Sequence, residues 1–266
     1  MISNIKKALR KSETIKLYWE VISLFIAKSF AFESDESFTK RTFKRRVGKD
    51  LDLVNPKTFS DKLNFLKLYY RDPLITKCTD KYLVRDYVSE MGHAGILNEI
   101  YGVYSRFSDI DFSLLPDKFF IKCNHTSGAN YFYETDRSID MRALEKKFKF
   151  FLKKQFHLYQ REWNYRDIKP VIIAERVIKD SEGRFPIDYK FFCFNGIPRL
   201  VMYCEGQCDE KGERGEPLAN FYDMDFNSTD LKINNDNIMR DDISAPDNFD
   251  DMKEIAKSLS AAFPFC

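Results

Sequence analysis

The chain has 266 residues, and its 43 Lys and Arg against 41 Asp and Glu leave a formal net charge of +2. With 44% hydrophobic and 32% charged residues it is long enough for one large or two modest folded domains and too apolar to be disordered. The balanced charge argues against bulk nucleic-acid binding, and the 25 Phe and 14 Tyr are spread along the chain with no ordered basic groove to make a base-stacking platform.

The amino-terminal stretch from Ile15 to Phe32 is rich in aliphatic and aromatic residues, but Lys16, Glu20 and Lys28 interrupt it. A spanning helix needs roughly 20 apolar residues in a row, so this is not one. Lys6, Lys7, Arg10 and Lys11 precede it, which leaves two readings. One is an interfacial helix on an anionic inner-membrane surface; the other, plainer one is a helix docked on the protein with its apolar face inward. The basic run Lys40 to Lys49 reads as a solvated face, or as a contact for an acidic glycan or lipid head group.

Beyond Asn55-Pro56, Thr58 or Ser60 can cap a helix whose apolar face runs through Leu63, Leu66 and Tyr69 and which Asp72-Pro73 ends. A second helix begins near Thr79 or Asp80 and stops at Gly92, Ile96 to Val103 reads as a strand, and Phe107 to Leu115 as a capped turn.

Lys118 to Tyr133 is the stretch around which the chain is organised. It reads as a strand, a short polar turn on Ser127 and Gly128, and a second strand. Lys122 is a cation inside the otherwise apolar first strand. It requires an anion, from the protein or from a ligand, unless the strand is an edge whose lysine reaches water. Asn124, His125, Thr126 and Ser127 follow, with side chains and backbone N–H groups that could cradle a phosphate chain.

Met141 to Tyr159 has the spacing of one amphipathic helix. Pro170 to Ile178 is a strand, apolar except for Glu175 and Arg176. Pro186 to Phe194, the Asn195-Gly196 turn and Pro198 to Cys204 form a hairpin. Gln207 to Pro217 is a charged loop, Asn220 to Asp223 a short strand, and Phe249 to Ala262 a helix. Helices first and antiparallel strands later make the fold class α+β. Alternation places Asp188 and Lys190 on one sheet face. Such a pair can simply neutralise itself, or can join Lys122 and Glu175 in clamping a phosphate-rich ligand between two sheets. The six cysteines form no CxxC pair and the three histidines have no zinc spacing, so reduced thiols in a cytoplasmic protein are expected.

The strings NPKTFSDKLNFLK, LLPDKFFIKCNHTSG, IIAERVI, DYKFFCFNG and AKSLSAAFPF, in this order, resemble the TupA-like ATP-grasp family over roughly Leu51 to Phe265. The resemblance implies an ATP-grasp fold, with a mainly helical region over 1–115, a first lobe over 116–168 and a second over 169–266. It implies an ATP-dependent carboxylate–amine ligase of cell-surface polysaccharide synthesis, such as that of teichuronopeptide, capsule or O-antigen. An acyl phosphate would form and an amine attack it, joining an amino acid to a sugar uronic acid or glycan-lipid. In this likeness Lys122 contacts the α-phosphate side of ATP, and Ser127 and Gly128 form the loop over the β- and γ-phosphates. Glu175 lies on the hinge strand bordering the adenine. Lys190 steadies the transferring phosphoryl group and Asp188 orients it. Thr126 stands where the family usually has glycine, which stiffens the loop.

In the family an Arg-Val-Asp run and a Glu-bearing strand follow the FPF block and supply carboxylates to magnesium. Here Phe265 is followed by Cys266 alone, so the magnesium ligands are expected to be absent and this form to be inactive. Two other classes stay open. One is a glycosyltransferase, for which Asp223-Met224-Asp225 has the outline of a paired-aspartate metal motif, or of a plain turn. The other is a non-catalytic nucleotide- or glycan-binding scaffold.

Overall fold

The computed structural model describes residues 13–207, 215, 217–233, 239–240 and 242–266. Lys6, Lys7, Arg10, Lys11, Cys208 and most of the charged 207–217 loop lie outside the described residues. The described chain is α+β, with eight helices and two antiparallel sheets.

Five helices come first: α1 (Glu13–Ser29), α2 (Asp35–Val47), α3 (Phe59–Tyr69), α4 (Pro73–Thr79) and α5 (Val84–Glu90). No described helix is long and apolar enough to cross a membrane. The basic run that begins at Lys40 belongs to α2, which Ser34 caps by accepting from the Ser37 N–H and which Gly48 ends in the left-handed region at φ 76°. Thr58 and Asp61 form a reciprocal capping box on α3.

Asp72-Pro73 ends α3 as expected but also starts a helix that was not expected. The Asp72 carboxylate accepts from the Leu74 N–H, and Pro73 occupies a first-turn position where its missing N–H costs nothing. The next helix therefore starts at Val84 rather than at Thr79 or Asp80. Asp80 instead closes a turn by accepting from the N–H groups of Tyr82, at 2.8 Å, and Leu83.

The first sheet has the order β1-β4-β2-β3, from β1 (Ile100–Tyr104), β2 (Lys118–Cys123), β3 (Asn130–Glu134) and β4 (Ile172–Arg176). The expected strand from Ile96 begins only at Ile100, after a short turn of 3₁₀ helix at Ala94–Ile96. Two of the four strands, β1 and β4, come from outside the 116–168 segment, and β4 sits between β1 and β2. A boundary at 168/169 therefore does not separate the two sheets, because backbone pairing joins β4 to strands far earlier in the chain.

Alternation sends Phe119, Ile121 and Cys123 of β2, and Ile172 and Ala174 of β4, into a core shared with α6 (Met141–Leu152) through Leu144, Phe148 and Phe151. Each large side chain buried there stabilises the fold by about 1.5–3 kcal/mol.

The single helix expected over 141–159 breaks in two. Lys153 caps α6 and a short α7 (His157–Gln160) follows. In the gap Lys154 turns inward, with its Nζ 2.5 Å from Glu20 of α1 and above the rings of Phe151, Phe156 and Tyr159. A straight helix would not bring this buried cation and those three rings together.

The second sheet is a meander in the order β5-β6-β7, from β5 (Asp188–Phe194), β6 (Ile197–Glu205) and β7 (Leu218–Tyr222). Helix α8 (Phe249–Ser260) packs on one face, where Phe249 joins Val201, Tyr203 and Tyr222. Asn195 and Gly196, at φ 49° and 75°, make the tight β5–β6 turn. The tail beyond α8 adds to the β5 edge: the Cys193 N–H donates to the Cys266 carbonyl at 2.7 Å, and the Cys266 N–H returns the bond at 3.1 Å. The Tyr87 hydroxyl donates to the Leu259 carbonyl at 3.0 Å, tying α5 to the end of α8.

Candidate functional site

The residues that fill the core of the first sheet leave Lys118, Phe120 and Lys122 of β2 on its opposite face. Lys122 pairs across the ladder with Ile173, and its Nζ reaches diagonally to Glu175, 2.6 Å from Oε1. The anion that Lys122 requires is thus present in the protein. Both side chains are mostly covered, at 24% and 17% exposure, so water contributes only part of their solvation. Phe120 and Phe132 flank the pair on the same face. Phe185, from the segment joining the two sheets, lies against both rings at 5.6 and 5.7 Å.

The turn after β2 divides sharply between structural and available groups. The Asn124 side chain accepts from the Val171 N–H at 2.8 Å and donates to the Lys169 carbonyl at 3.0 Å, clamping the approach to β4. Its amide is therefore committed to the fold and does not cradle a ligand. His125 is buried, its Nδ1 lies 3.3 Å from Asn124 Oδ1, and its Nε2 has no partner. Burial lowers the His125 pKa, against the opposing pull of the Phe151 and Lys154 carbonyls. Thr126 is buried and turns its hydroxyl onto the Ser127 carbonyl. Ser127 and Gly128 alone in this turn are exposed. Gly128 sits at φ +82°, with nothing within 4 Å of where a Cβ would be. Its backbone is open to a ligand, and a side chain there would oppose the conformation.

Sequence reasoning missed Lys81. From the turn between α4 and α5 its ammonium donates to the carbonyls of Thr126, at 2.7 Å, and Asn124, at 3.3 Å. Burial lowers its pKa, and the neighbouring Lys122 charge pushes the same way. Lys81 therefore holds the backbone of the loop and adds a second cation beside Lys122. The only signal in the sequence was a lysine directly after the Asp80 turn, which is too common a pattern to single out.

Asp188 and Lys190 lie on one face of β5, as alternation required, with Lys190 Nζ 3.6 Å from Asp188 Oδ2. Tyr189 and Phe191 point the other way, toward α8. The pair is about half exposed, so its attraction is screened and the lysine is not held in one geometry. The structure therefore brings Lys122 together with Glu175, and Asp188 with Lys190. No hydrogen bond or ion pair among the described residues joins the two pairs.

The cluster of the partly buried Lys122 and Lys81 with the exposed Gly128 backbone suits the phosphates of a nucleotide, since the two lysines bring positive charge and the turn brings backbone groups. Magnesium is different. Among the described residues no group of three or more His, Cys, Asp or Glu could hold a metal ion. In the Asp223-Met224-Asp225 stretch, Asp223 accepts from the backbone N–H groups of Asp225 and Asn227 and from the Asn227 side chain. It closes a turn, and both of its oxygens are engaged.

The search of curated proteins and the search of solved structures each returned no match. The sequence does match the family described as TupA-like ATPgrasp, over residues 61–266, which takes in both sheets and the whole of the candidate site. The chain belongs to the TupA-like ATPgrasp family.

Proposed function

We propose that the protein is an ATP-dependent carboxylate–amine ligase of cell-surface polysaccharide synthesis, working at the cytoplasmic side and joining an amino acid to a sugar uronic acid. The observation that carries the nucleotide part is the pairing of Lys122 with Glu175 on the sheet face opposite the core, beside Lys81 and the open Gly128 turn. Family membership supports the ligase chemistry.

In this reading Lys122 neutralises phosphate charge and exchanges part of its contact with Glu175 for the ligand, while Glu175 keeps the ammonium aimed into the site. The Ser127–Gly128 backbone lies over the distal phosphates, and Lys81 fixes that loop by holding its carbonyls. Lys190, oriented by Asp188, offers mobile positive charge to the transferring phosphoryl group. ATP supplies that group: a carboxylate oxygen attacks the terminal phosphorus and ADP leaves. The amine then attacks the acyl carbon, releasing phosphate and a proton. In this reading Lys122, Lys81 and Lys190 are the side chains of this protein that supply positive charge to the phosphates.

Calorimetric titration tests the reading. Adenine nucleotide should bind in preference to a uridine-diphosphate sugar. Lys122→Ala should weaken it by about 1.5–3 kcal/mol, the worth of a charge-assisted contact. Tight binding of the uridine-diphosphate sugar with no adenine nucleotide binding would instead favour the glycosyltransferase class.

A further inference from the structure

Helix α1 is held against the rest of the protein by one side. Glu20 meets the buried Lys154 in the gap between α6 and α7, Ala27 is buried, and the Arg161 guanidinium donates to the Phe30 carbonyl just past the helix end. These contacts fix which side of α1 faces out. At about 100° per residue, Tyr18, Val21, Phe25 and Ile26 share the opposite side, with Trp19 on its flank. Tyr18 and Trp19 are 64% and 62% exposed, Phe25 is 75% exposed, and Phe32, just past the helix, is wholly exposed. From Tyr18 to Ser29 this outer side carries no charged residue. Surface helices ordinarily turn charge to water, so a row of exposed aromatic and aliphatic side chains marks a face that meets something apolar.

The charge around that face has one sign. Residues 1–50 hold 12 Lys and Arg against 6 Asp and Glu, a net +6, while the rest of the chain holds 31 against 35, a net −4. Lys6, Lys7, Arg10 and Lys11 precede α1 in the sequence. Lys28 borders its outer side, exposed and with no ion pair among the described residues. Glu20 and Asp35 are engaged by cations from outside this stretch, Lys154 and Arg161, which leaves its own lysines and arginines in excess. A second copy of the chain would bring two such positive surfaces together, so charge opposes self-association on this face. A bilayer with anionic lipids supplies both complements, an apolar phase for the rings and negative head groups for the lysines.

We propose that α1 docks the protein on the surface of an anionic lipid bilayer. The helix, about 25 Å long, lies in the plane of that surface. Phe25 and Phe32 enter the acyl boundary. Tyr18 and Trp19 sit at head-group level, where an apolar ring and a polar tip are both accommodated. Lys28 extends along the apolar surface to reach lipid phosphates. α1 lies outside residues 61–266, so lipid docking stands whether or not the ligase reading holds.

The test is co-sedimentation of the full 266-residue chain with vesicles of phosphatidylcholine, with and without phosphatidylglycerol. The anionic vesicles should bind at least about tenfold more tightly, and raised salt should narrow the gap. Phe25→Ser combined with Phe32→Ser should weaken binding at least about tenfold. The melting temperature of the free protein should not change, because both side chains are exposed. Lys28→Gln should weaken binding to the anionic vesicles about fivefold and leave phosphatidylcholine unaffected. Vesicles should also shift tryptophan emission to the blue, and Trp19→Phe, which leaves Trp163 as the only indole, should abolish the shift. Failure to bind the anionic vesicles would overturn the proposal. So would binding that survives the double substitution, since the lipid contact would then lie elsewhere. A free protein that sediments as a dimer, and as a monomer once Phe25 and Phe32 are replaced, would make this face a contact between copies instead.

Discussion

Lys122 shows how far single residues can be read. A lysine within an apolar strand announces that it needs an anion, and that much is visible in sequence. The identity of the anion was not, because Glu175 is brought alongside by the β2–β4 ladder rather than by any local spacing. Removing one member leaves the other partly buried and unpaired. Lys122→Met or Glu175→Leu alone should each cost about 1–3 kcal/mol. The double variant should cost less than the sum, and urea denaturation would reveal the coupling; additive losses would mean that both groups are effectively solvated.

His125 makes a second, pH-dependent prediction. Burial holds its folded-state pKa below the ordinary histidine value, and His157 is lowered in the same way. The unfolded chain therefore binds protons first as the pH falls. The stability contributed by the neutral rings is complete above about pH 6.5 and is lost as the pH drops from there toward the folded pKa values. Denaturation midpoints should fall between about pH 7.5 and 5.5, and His125→Gln should flatten part of that fall. An unchanged slope would assign the effect to His157.

At the scale of elements, strongly periodic segments were legible and junctions were not. The two hairpins around Gly128 and Gly196 were recognisable because their turn residues are committed to positive φ. By contrast, α2 was read only as a charged run, since its few apolar residues give little periodic signal. The reading of Asp72-Pro73 as a stop missed that the same pair is a good start. The break after Leu152 depends on Lys154 meeting Glu20 and three rings, which no window along the sequence contains.

Gly196 joins the element scale to packing. A Cβ there would come 2.9 Å from the Ala261 Cα just beyond α8, in addition to the strain of φ +75°. Gly196→Ala should therefore destabilise by about 2 kcal/mol or more, read from the urea midpoint. Gly128→Ala carries only the backbone term, because nothing lies within 4 Å, and should cost about 1 kcal/mol. A similar loss at both positions would show that the α8 contact yields.

For the whole molecule, the α+β class followed directly from the order of helices and strands. The division of the chain did not, because β1 and β4 cross into the sheet built on β2 and β3. The site inherits this arrangement, since Lys122 and Glu175 meet only on the completed ladder.

The strand order also sets a sequence of events in time. β5, β6 and β7 are neighbours in both chain and space, joined by the two-residue Asn195–Gly196 turn and by one connection from Glu205 to Leu218, so they pair without any other strand coming between. β4 must instead insert between β1 and β2 after the chain has closed a long excursion through α6 and α7. Local closure is faster than distant closure. In refolding followed by pulsed hydrogen exchange, amides of β5–β7 should gain protection before those of β1 and β4. During that interval both edges facing the vacant β4 position are open to other chains, which makes the first sheet the place where misassembly begins. Lys122 acquires its carboxylate partner, Glu175, only at this late step, so this pair is among the last parts of the molecule to form.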